Sequence, residues 1–191
     1  MKANTHQYSH LVRDARRTRG FTLIEMVFSI VILGILGAGI APIFLNGLRA
    51  YSGASDNLAT LTKLRFATER MAREIRQVRR DPITPSNYDI STMTATSLVF
   101  ARLDSSGAAI TVTITASAPN VTMQYSTPSV TAILTDQLNA NSDLNFAYYQ
   151  ADGVTAATGV SDVAFVQISL TLTQGGLPTI ERTRVALRNQ S

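Results

Sequence analysis

The sequence lacks cysteine altogether and contains only two histidines, His6 and His10, both close to its N-terminus. Without cysteine there can be no disulfide framework and no thiolate metal site. If the N-terminal stretch is removed, the remaining chain also lacks histidine, which excludes Ser–His and Cys–His nucleophiles and His-ligated zinc. We therefore expect a protein that is not an enzyme and that holds no cofactor and no metal.

Charged residues are also few, at 16% of the chain, and they are unevenly placed. Residues 1–20 carry five basic and one acidic side chain, whereas residues 21–191 carry twelve of each, so the net charge of +4 belongs to the first twenty residues. A basic segment before an apolar run stays on the cytoplasmic side of a membrane. The neutral remainder gives no support to nucleic-acid binding by overall charge.

Residues 21–45, FTLIEMVFSIVILGILGAGIAPIFL, contain a single charged side chain, that of Glu25. A bilayer-spanning helix needs roughly 20 apolar residues, so this segment is long enough. The alternative is a secretory signal peptide. That class of segment is usually shorter and has no internal carboxylate, and here Pro42 directly follows the best small-residue cleavage site. We therefore predict one transmembrane helix.

Residues 46–81 predict a continuation of this helix with one apolar stripe at steps of three and four. The opposite face is rich in arginine between Arg65 and Arg80, which suits a solvated or subunit-packed face, with an acidic partner or DNA as the alternative. Asp81-Pro82 is expected to end the helix after about 60 residues. The stripe consists of Leu45, Leu48, Tyr51, Ala54, Leu58, Leu61, Leu64, Ala67, Met71, Ile75 and Val78.

Residues 82–191 change to an alternating pattern rich in Thr, Val and Ser, which predicts β-strands. The fold class is therefore α+β, with one antiparallel sheet whose inner face covers the helix stripe. Gly175-Gly176 is expected to join the last two strands as a hairpin. The predicted strands are Leu98–Leu103, Ala109–Ala116, Val121–Tyr125, Leu144–Tyr149, Val163–Thr173 and Thr179–Leu187.

Four oxygen-bearing residues lie close together at Asp136, Asn139, Asn141 and Asp143. Such spacing can hold calcium. The glycine and bidentate glutamate of an EF-hand are missing from the required positions, so a polar loop is the favoured interpretation.

The string Arg19-Gly20-Phe21-Thr22-Leu23-Ile24-Glu25 closely resembles the type III signal of type IV prepilins and pseudopilins, and Pro42 matches a proline that many pilins carry. The resemblance implies the pilin fold and cleavage after Gly20 by prepilin peptidase, which also methylates Phe21. It assigns Glu25 to subunit assembly. The chain then divides into a leader (1–20), an assembly helix (21–45), its amphipathic continuation (46–81) and a β-rich domain (82–191).

Elementary electrostatics supports the role that the resemblance gives to Glu25. A carboxylate at the centre of a bilayer costs about 2.5–3.5 kcal/mol on insertion scales, and less near the membrane surface. Such a group needs a partner, and the new amine of Phe21 on a neighbouring subunit is a good candidate. The alternative is a stray polar residue in an anchor.

The resemblance also implies the protein's partners and location. These are prepilin peptidase, other pilin or pseudopilin subunits, the inner-membrane assembly platform and, before assembly, membrane lipid. The chain would cross the inner membrane once, with a cytoplasmic N-terminus and a periplasmic C-terminal domain, and then enter a pilus or pseudopilus.

The segment 64–77, LRFATERMAREIRQ, narrows the resemblance to a group of minor pilins and pseudopilins. The group includes O-type minor pilins of mannose-sensitive haemagglutinin pili, W-type minor pilins and J-type pseudopilins of type II secretion. The O-type minor pilins are the first choice, which implies a tip-associated or initiating subunit. A J-type pseudopilin and a pilus-displayed adhesin or DNA-binding module stay open as alternatives.

Overall fold

The computed structural model describes residues 20–187 and has one long helix followed by eight strands, so the predicted α+β class is confirmed. The chain divides into two units, the first ending at Arg49 and the second beginning at Ala50. The elements are α1 (Leu23–Ile75), β1 (Ile90–Met93), β2 (Ser97–Leu103), β3 (Ala109–Ser117), β4 (Asn120–Ser126), β5 (Ser129–Thr135), β6 (Leu144–Tyr149), β7 (Phe165–Gln174) and β8 (Leu177–Ala186). The predicted leader, apart from Gly20, lies outside the described residues.

The described part of the first unit consists of residues 20–22 and the N-terminal half of α1, as far as Arg49. Its apolar side chains are all exposed, and an 18-residue window of this helix reaches a mean hydropathy of 2.5. The helix is therefore long and apolar enough to cross a membrane. Pro42 lies within the helix, which continues on both sides of it.

In the second unit, the C-terminal part of α1 packs into the hydrophobic core. Leu64, Ala67, Met71 and Ile75 of the predicted stripe are buried, whereas Leu58 and the stripe residues before it are exposed. The apolar stripe is therefore buried by the rest of the described chain only from about Thr60 onward.

The strands form two antiparallel sheets rather than the single predicted sheet. The first has the order β1-β2-β3-β4-β5, and the second has the order β6-β7-β8. The sequence pattern predicts strands but not which strands pair, and β5 and β6 are separated by a polar connection with a 3-10 turn at Asn141–Asp143. Two strands, β1 and β5, were not predicted, because both lie at sheet edges and lack a clean alternation of buried and exposed side chains.

The predicted strands agree well with the observed ones where one face is buried. In β3, Ile110, Val112 and Ile114 are buried while the threonines between them are more exposed, as a half-buried strand requires. Gly175 and Gly176 form the predicted hairpin between β7 and β8, with φ of 58° and 81°. Positive φ at both positions is typical of the tight turns that suit hairpin twist.

The helix ends at Ile75, six residues earlier than the predicted end at Asp81. The amide of Val78 bonds to the carbonyl of Ile75, which tightens the last turn, and the amide of Arg79 then bonds to the carbonyl of Ala101 in β2. Backbone hydrogen bonds to the sheet therefore replace helical hydrogen bonds several residues before Pro82, so the helix ends earlier than the proline alone would require.

Candidate functional site

The segment that starts α1 contains the residues to which the sequence assigns processing. Gly20 and Phe21 precede the helix, and both are exposed. A Cβ on Gly20 would meet no atom within 4 Å among the described residues. The fold of residues 20–187 therefore does not itself require a glycine there, and any such requirement comes from a molecule that recognises this segment.

Thr22 caps the helix. Its Oγ1 accepts a hydrogen bond from the amide of Glu25 at 3.3 Å, and its carbonyl accepts one from the amide of Met26 at 3.2 Å. Such a cap satisfies an amide that would otherwise lack a partner at the helix start. Sequence reasoning missed this role, although a threonine followed by glutamate three residues later is a recognised signal for a helix N-terminus.

Glu25 lies in the first turn of α1, where its negative charge interacts favourably with the helix dipole. Its carbonyl accepts a hydrogen bond from Ser29 Oγ at 2.7 Å. The side chain is exposed, and none of the ion pairs within residues 20–187 includes it. The carboxylate is therefore presented outward, on the same short stretch of chain as Gly20 and Phe21.

The helix that follows offers a continuous apolar surface. Side chains around its whole circumference are exposed, with Phe28 61% and Ile35 68% accessible. Burial of such a side chain is worth about 1.5–3 kcal/mol. The chain itself provides no covering for this surface within the described residues, so a membrane or other subunits must do so.

A second cluster joins the buried end of α1 to the first sheet. Glu74 forms ion pairs with Arg70 at 3.2 Å and with Arg102 of β2 at 2.8 Å, and it accepts a hydrogen bond from the Tyr125 hydroxyl at 2.9 Å. Burial, and then this hydrogen bond to Glu74, raise the pKa of Tyr125. The cluster therefore holds the C-terminal end of the helix on the first sheet.

The arginine-rich face is less available than the sequence suggests. Arg79 is paired with Asp89 at 2.7 Å, and the guanidinium of Arg80 lies 4.0 Å from the centre of the Tyr88 ring. Several of these arginines therefore stabilise the fold. Exposed guanidinium groups remain at Arg65, Arg73 and Arg76.

The oxygen-rich segment after β5 is occupied by internal hydrogen bonds. Asp136 accepts a bond from Lys63 Nζ at 2.8 Å, and Asp143 Oδ2 accepts bonds from the amides of Asn139 and Ala140. Asn141 Oδ1 accepts the amide of Ala118 at 2.7 Å. Among residues 20–187, no three His, Cys, Asp or Glu side chains are grouped so that they could hold a metal.

Comparison with known families matches residues 15–41 to the prokaryotic N-terminal methylation motif. The match includes the Gly20–Phe21 junction, the cap at Thr22 and Glu25, and it ends within the apolar half of α1. Neither the curated proteins nor the solved structures include a significant match to this chain.

Proposed function

The chain carries the prepilin signal of type IV pilins and pseudopilins, and from that premise we propose that it is a minor subunit of a type IV pilus. The observation that carries the proposal is the methylation motif, whose match runs from the end of the basic segment into the exposed apolar helix. Pilin-type subunits are generally structural proteins, and the proposal gives this one no catalytic role.

We propose that prepilin peptidase cuts between Gly20 and Phe21 and methylates the new amine of Phe21. The exposure of both residues ahead of the helix supports this, because a protease needs an accessible backbone. The charge pattern supports it as well, since the basic excess of the chain stops at this junction.

Glu25 then serves assembly. Its carboxylate lies at the start of an apolar helix. It pairs with the Phe21 amine of the neighbouring subunit when assembly transfers both groups from water into the apolar interior of the filament. An ion pair in an apolar interior requires both partners, so this contact fixes the register between adjacent helices.

Before assembly, the apolar half of α1 anchors the subunit in the inner membrane as a single-pass protein. The basic residues 1–20 keep the N-terminus in the cytoplasm, which places the β-rich domain in the periplasm. The assembly platform and the other pilin subunits are then its partners in the membrane.

Within the family, the segment 64–77 favours an O-type minor pilin of a mannose-sensitive haemagglutinin-like pilus, placed in a tip or initiating complex. A J-type pseudopilin of type II secretion shares this helix pattern and is the second candidate. Deletion of the gene in the native host separates them, because loss of surface pili supports the first and loss of secretion with intact pili supports the second.

The assembly role is tested by comparing Glu25→Ala with Glu69→Ala in a host that has prepilin peptidase. Glu69 is an exposed glutamate on the same helix and serves as the matched control. We expect prepilin peptidase to cut Glu25→Ala almost normally. The amount of this variant recovered in sheared filaments should fall by roughly tenfold or more, because the substitution leaves an unpaired amine in an apolar interior. Normal assembly of Glu25→Ala contradicts the proposed role.

A further inference from the structure

A hollow in the first sheet adjoins the buried network around Glu74. Its volume is about 570 Å³, which lies within the range of roughly 300–1,000 Å³ that is usual for small-molecule sites. Arg102 opposes Ile110 across β2 and β3, and Tyr125 opposes Val130 across β4 and β5. All four side chains line the hollow, which therefore has mostly apolar walls and one guanidinium group.

The charges next to this hollow do not balance. Glu74 forms ion pairs with Arg70 at 3.2 Å and with Arg102 at 2.8 Å, so two guanidinium groups share one carboxylate. The side chain of Arg70 is 37% exposed and is partly solvated, whereas that of Arg102 is only 17% exposed. A charge that is taken out of water needs a full partner. The Arg102 end of the hollow therefore carries an excess of positive charge.

The hydrogen bonds of Arg102 are also incomplete. Its Nε atom lies close to Glu74 Oε2, but neither atom forms an aligned hydrogen bond within residues 20–187. Its Nη1 atom donates to the carbonyl of Leu103 at 3.0 Å, and its guanidinium carbon lies 5.7 Å from the centre of the Tyr125 ring. Buried polar groups are normally paired, so this guanidinium is suited to a further acceptor.

Asp104 lines the same hollow but does not supply that acceptor. None of the ion pairs among the described residues includes it. Its Oδ1 accepts bonds from the hydroxyl and the amide of Ser106 at 2.6 and 2.8 Å, and from the amide of Ala108 at 2.9 Å. The Ser106 hydroxyl, followed by the Ala108 amide, lowers the pKa of Asp104. This second carboxylate disfavours a multiply charged anion such as phosphate in the hollow.

We propose that the hollow binds a small monocarboxylate with an apolar body. The carboxylate accepts charge-assisted hydrogen bonds from the guanidinium of Arg102, and the apolar body contacts Tyr125 and Val130. The hydroxyl-bearing residues Ser105 and Thr127 also line the hollow and suit a ligand with a further polar group. This inference goes beyond the proposed function and concerns the β-rich unit alone, so it does not depend on how the subunit is processed or assembled.

The test is a fluorine NMR titration of the full chain in nonionic detergent with 4-fluorobenzoate, and detergent without protein gives the background. The matched ligand is 4-fluorobenzamide, which has the same ring without the negative charge. We expect 4-fluorobenzoate to bind with a dissociation constant of about 1 mM or below. The amide should bind about tenfold or more weakly, because it cannot form the charge-assisted bonds.

The matched variants are Val130→Glu and Val130→Gln. Val130 is 49% exposed, so both side chains are tolerated at this position, and only the first brings a carboxylate to the hollow. Val130→Glu should weaken 4-fluorobenzoate binding by about tenfold or more, because its own carboxylate pairs with Arg102 and repels the ligand. Val130→Gln should change it by less than about threefold. Arg102→Gln should abolish binding, but it also removes a partner of Glu74, so the Val130 pair tests the inference with the network intact.

Absence of 4-fluorobenzoate binding, equal binding of the amide, or indifference to Val130→Glu each overturns the inference. Tighter binding of inorganic phosphate than of 4-fluorobenzoate overturns the assigned ligand class. A competition with N-acetylglutamic acid amide tests the source of the carboxylate. If this side-chain mimic displaces 4-fluorobenzoate at a lower concentration than unlabelled benzoate does, the hollow takes an acidic side chain of another protein, and the inference of a small-molecule ligand is overturned.

Discussion

The two parts of α1, residues 23–59 and residues 60–75, belong to one helix but differ completely in their surroundings. Only the later part has buried side chains, and its one buried carboxylate, that of Glu74, lies between two arginines. The earlier part is bare, and its one carboxylate within the apolar segment, Glu25, has no ion-pair partner within residues 20–187. The apolar surface of the later part is therefore covered by folding of the chain, whereas that of the earlier part is covered only by a membrane or by other subunits.

The largest expected effect concerns the buried carboxylate of the later part, Glu74, with an exposed carboxylate of the same part as its control. Glu74→Ala should lower the free energy of unfolding by about 3–5 kcal/mol, because it leaves the guanidinium groups of Arg70 and Arg102 without their buried partner. Glu69→Ala, at an exposed position of the same helix, should change it by no more than about 0.5 kcal/mol. Denaturant unfolding of the full chain in detergent measures both. Equal effects would contradict the buried network.

The next effect compares two leucines of α1 that are six residues apart, Leu58 and Leu64. Leu64→Ala should cost about 2–5 kcal/mol of unfolding free energy, since Leu64 is buried and its truncation leaves a cavity. Leu58→Ala should cost about 0.5 kcal/mol or less, because Leu58 is exposed in the single chain. The same denaturation measurement applies. A large cost at Leu58 would show that the covered part of the helix begins earlier than Thr60.

A smaller effect, of opposite sign at two glycines, compares an exposed helical position in the earlier part of α1 with the turn between β7 and β8. Gly53→Ala should stabilise the protein by about 0.5–1 kcal/mol, because a methyl group at this exposed helical position meets nothing and restricts the unfolded chain. Gly176→Ala should destabilise it by about 1 kcal/mol, because the hairpin needs φ of 81° there. Thermal unfolding of both variants should shift in opposite directions, and a shared direction would contradict these backbone assignments.

The smallest effect concerns the exposed contact between Lys63 and Asp136. The hydrogen bond and charge of Lys63 lower the pKa of Asp136 below its ordinary value of 3.8. The contribution of this contact to the free energy of unfolding is therefore fully present above pH 3.8. It is lost as the pH falls through the lowered pKa of Asp136. Because both side chains are well exposed, we expect less than about 1 kcal/mol, and less still at high salt.

The check is the stability difference between the wild type and Asp136→Asn, followed from pH 6 to pH 2 in about unit steps across the range where carboxylates titrate. The difference should shrink as the medium becomes more acidic. A difference that grows on acidification would contradict the assigned direction of the shift.

The sequence predicts much of this structure because its signals are local. The apolar run before Arg49 and the alternation in β3 depend only on neighbouring residues, and both predictions agree with the structure. The single predicted sheet was wrong because strand pairing is a tertiary property. The predicted helix end at Asp81 was late because contacts with β2 override local propensity.

The residues of the candidate site likewise divide into those that a local motif predicts and those that only the tertiary structure brings together. The junction after Gly20 can be predicted from a short motif, and the methylation motif now matches residues 15–41. No comparable local pattern marks the network around Glu74, since Tyr125 and Arg102 reach it from strands distant in sequence. The roles of Gly20, Phe21 and Glu25 themselves stay predictions.

Processing at Gly20–Phe21 is tested most directly by the intact mass of the protein recovered from a host that has prepilin peptidase. We expect a chain that begins at Phe21, lacks residues 1–20 and carries one added methyl group on its terminal amine. A full-length product that still holds residues 1–20 would contradict it.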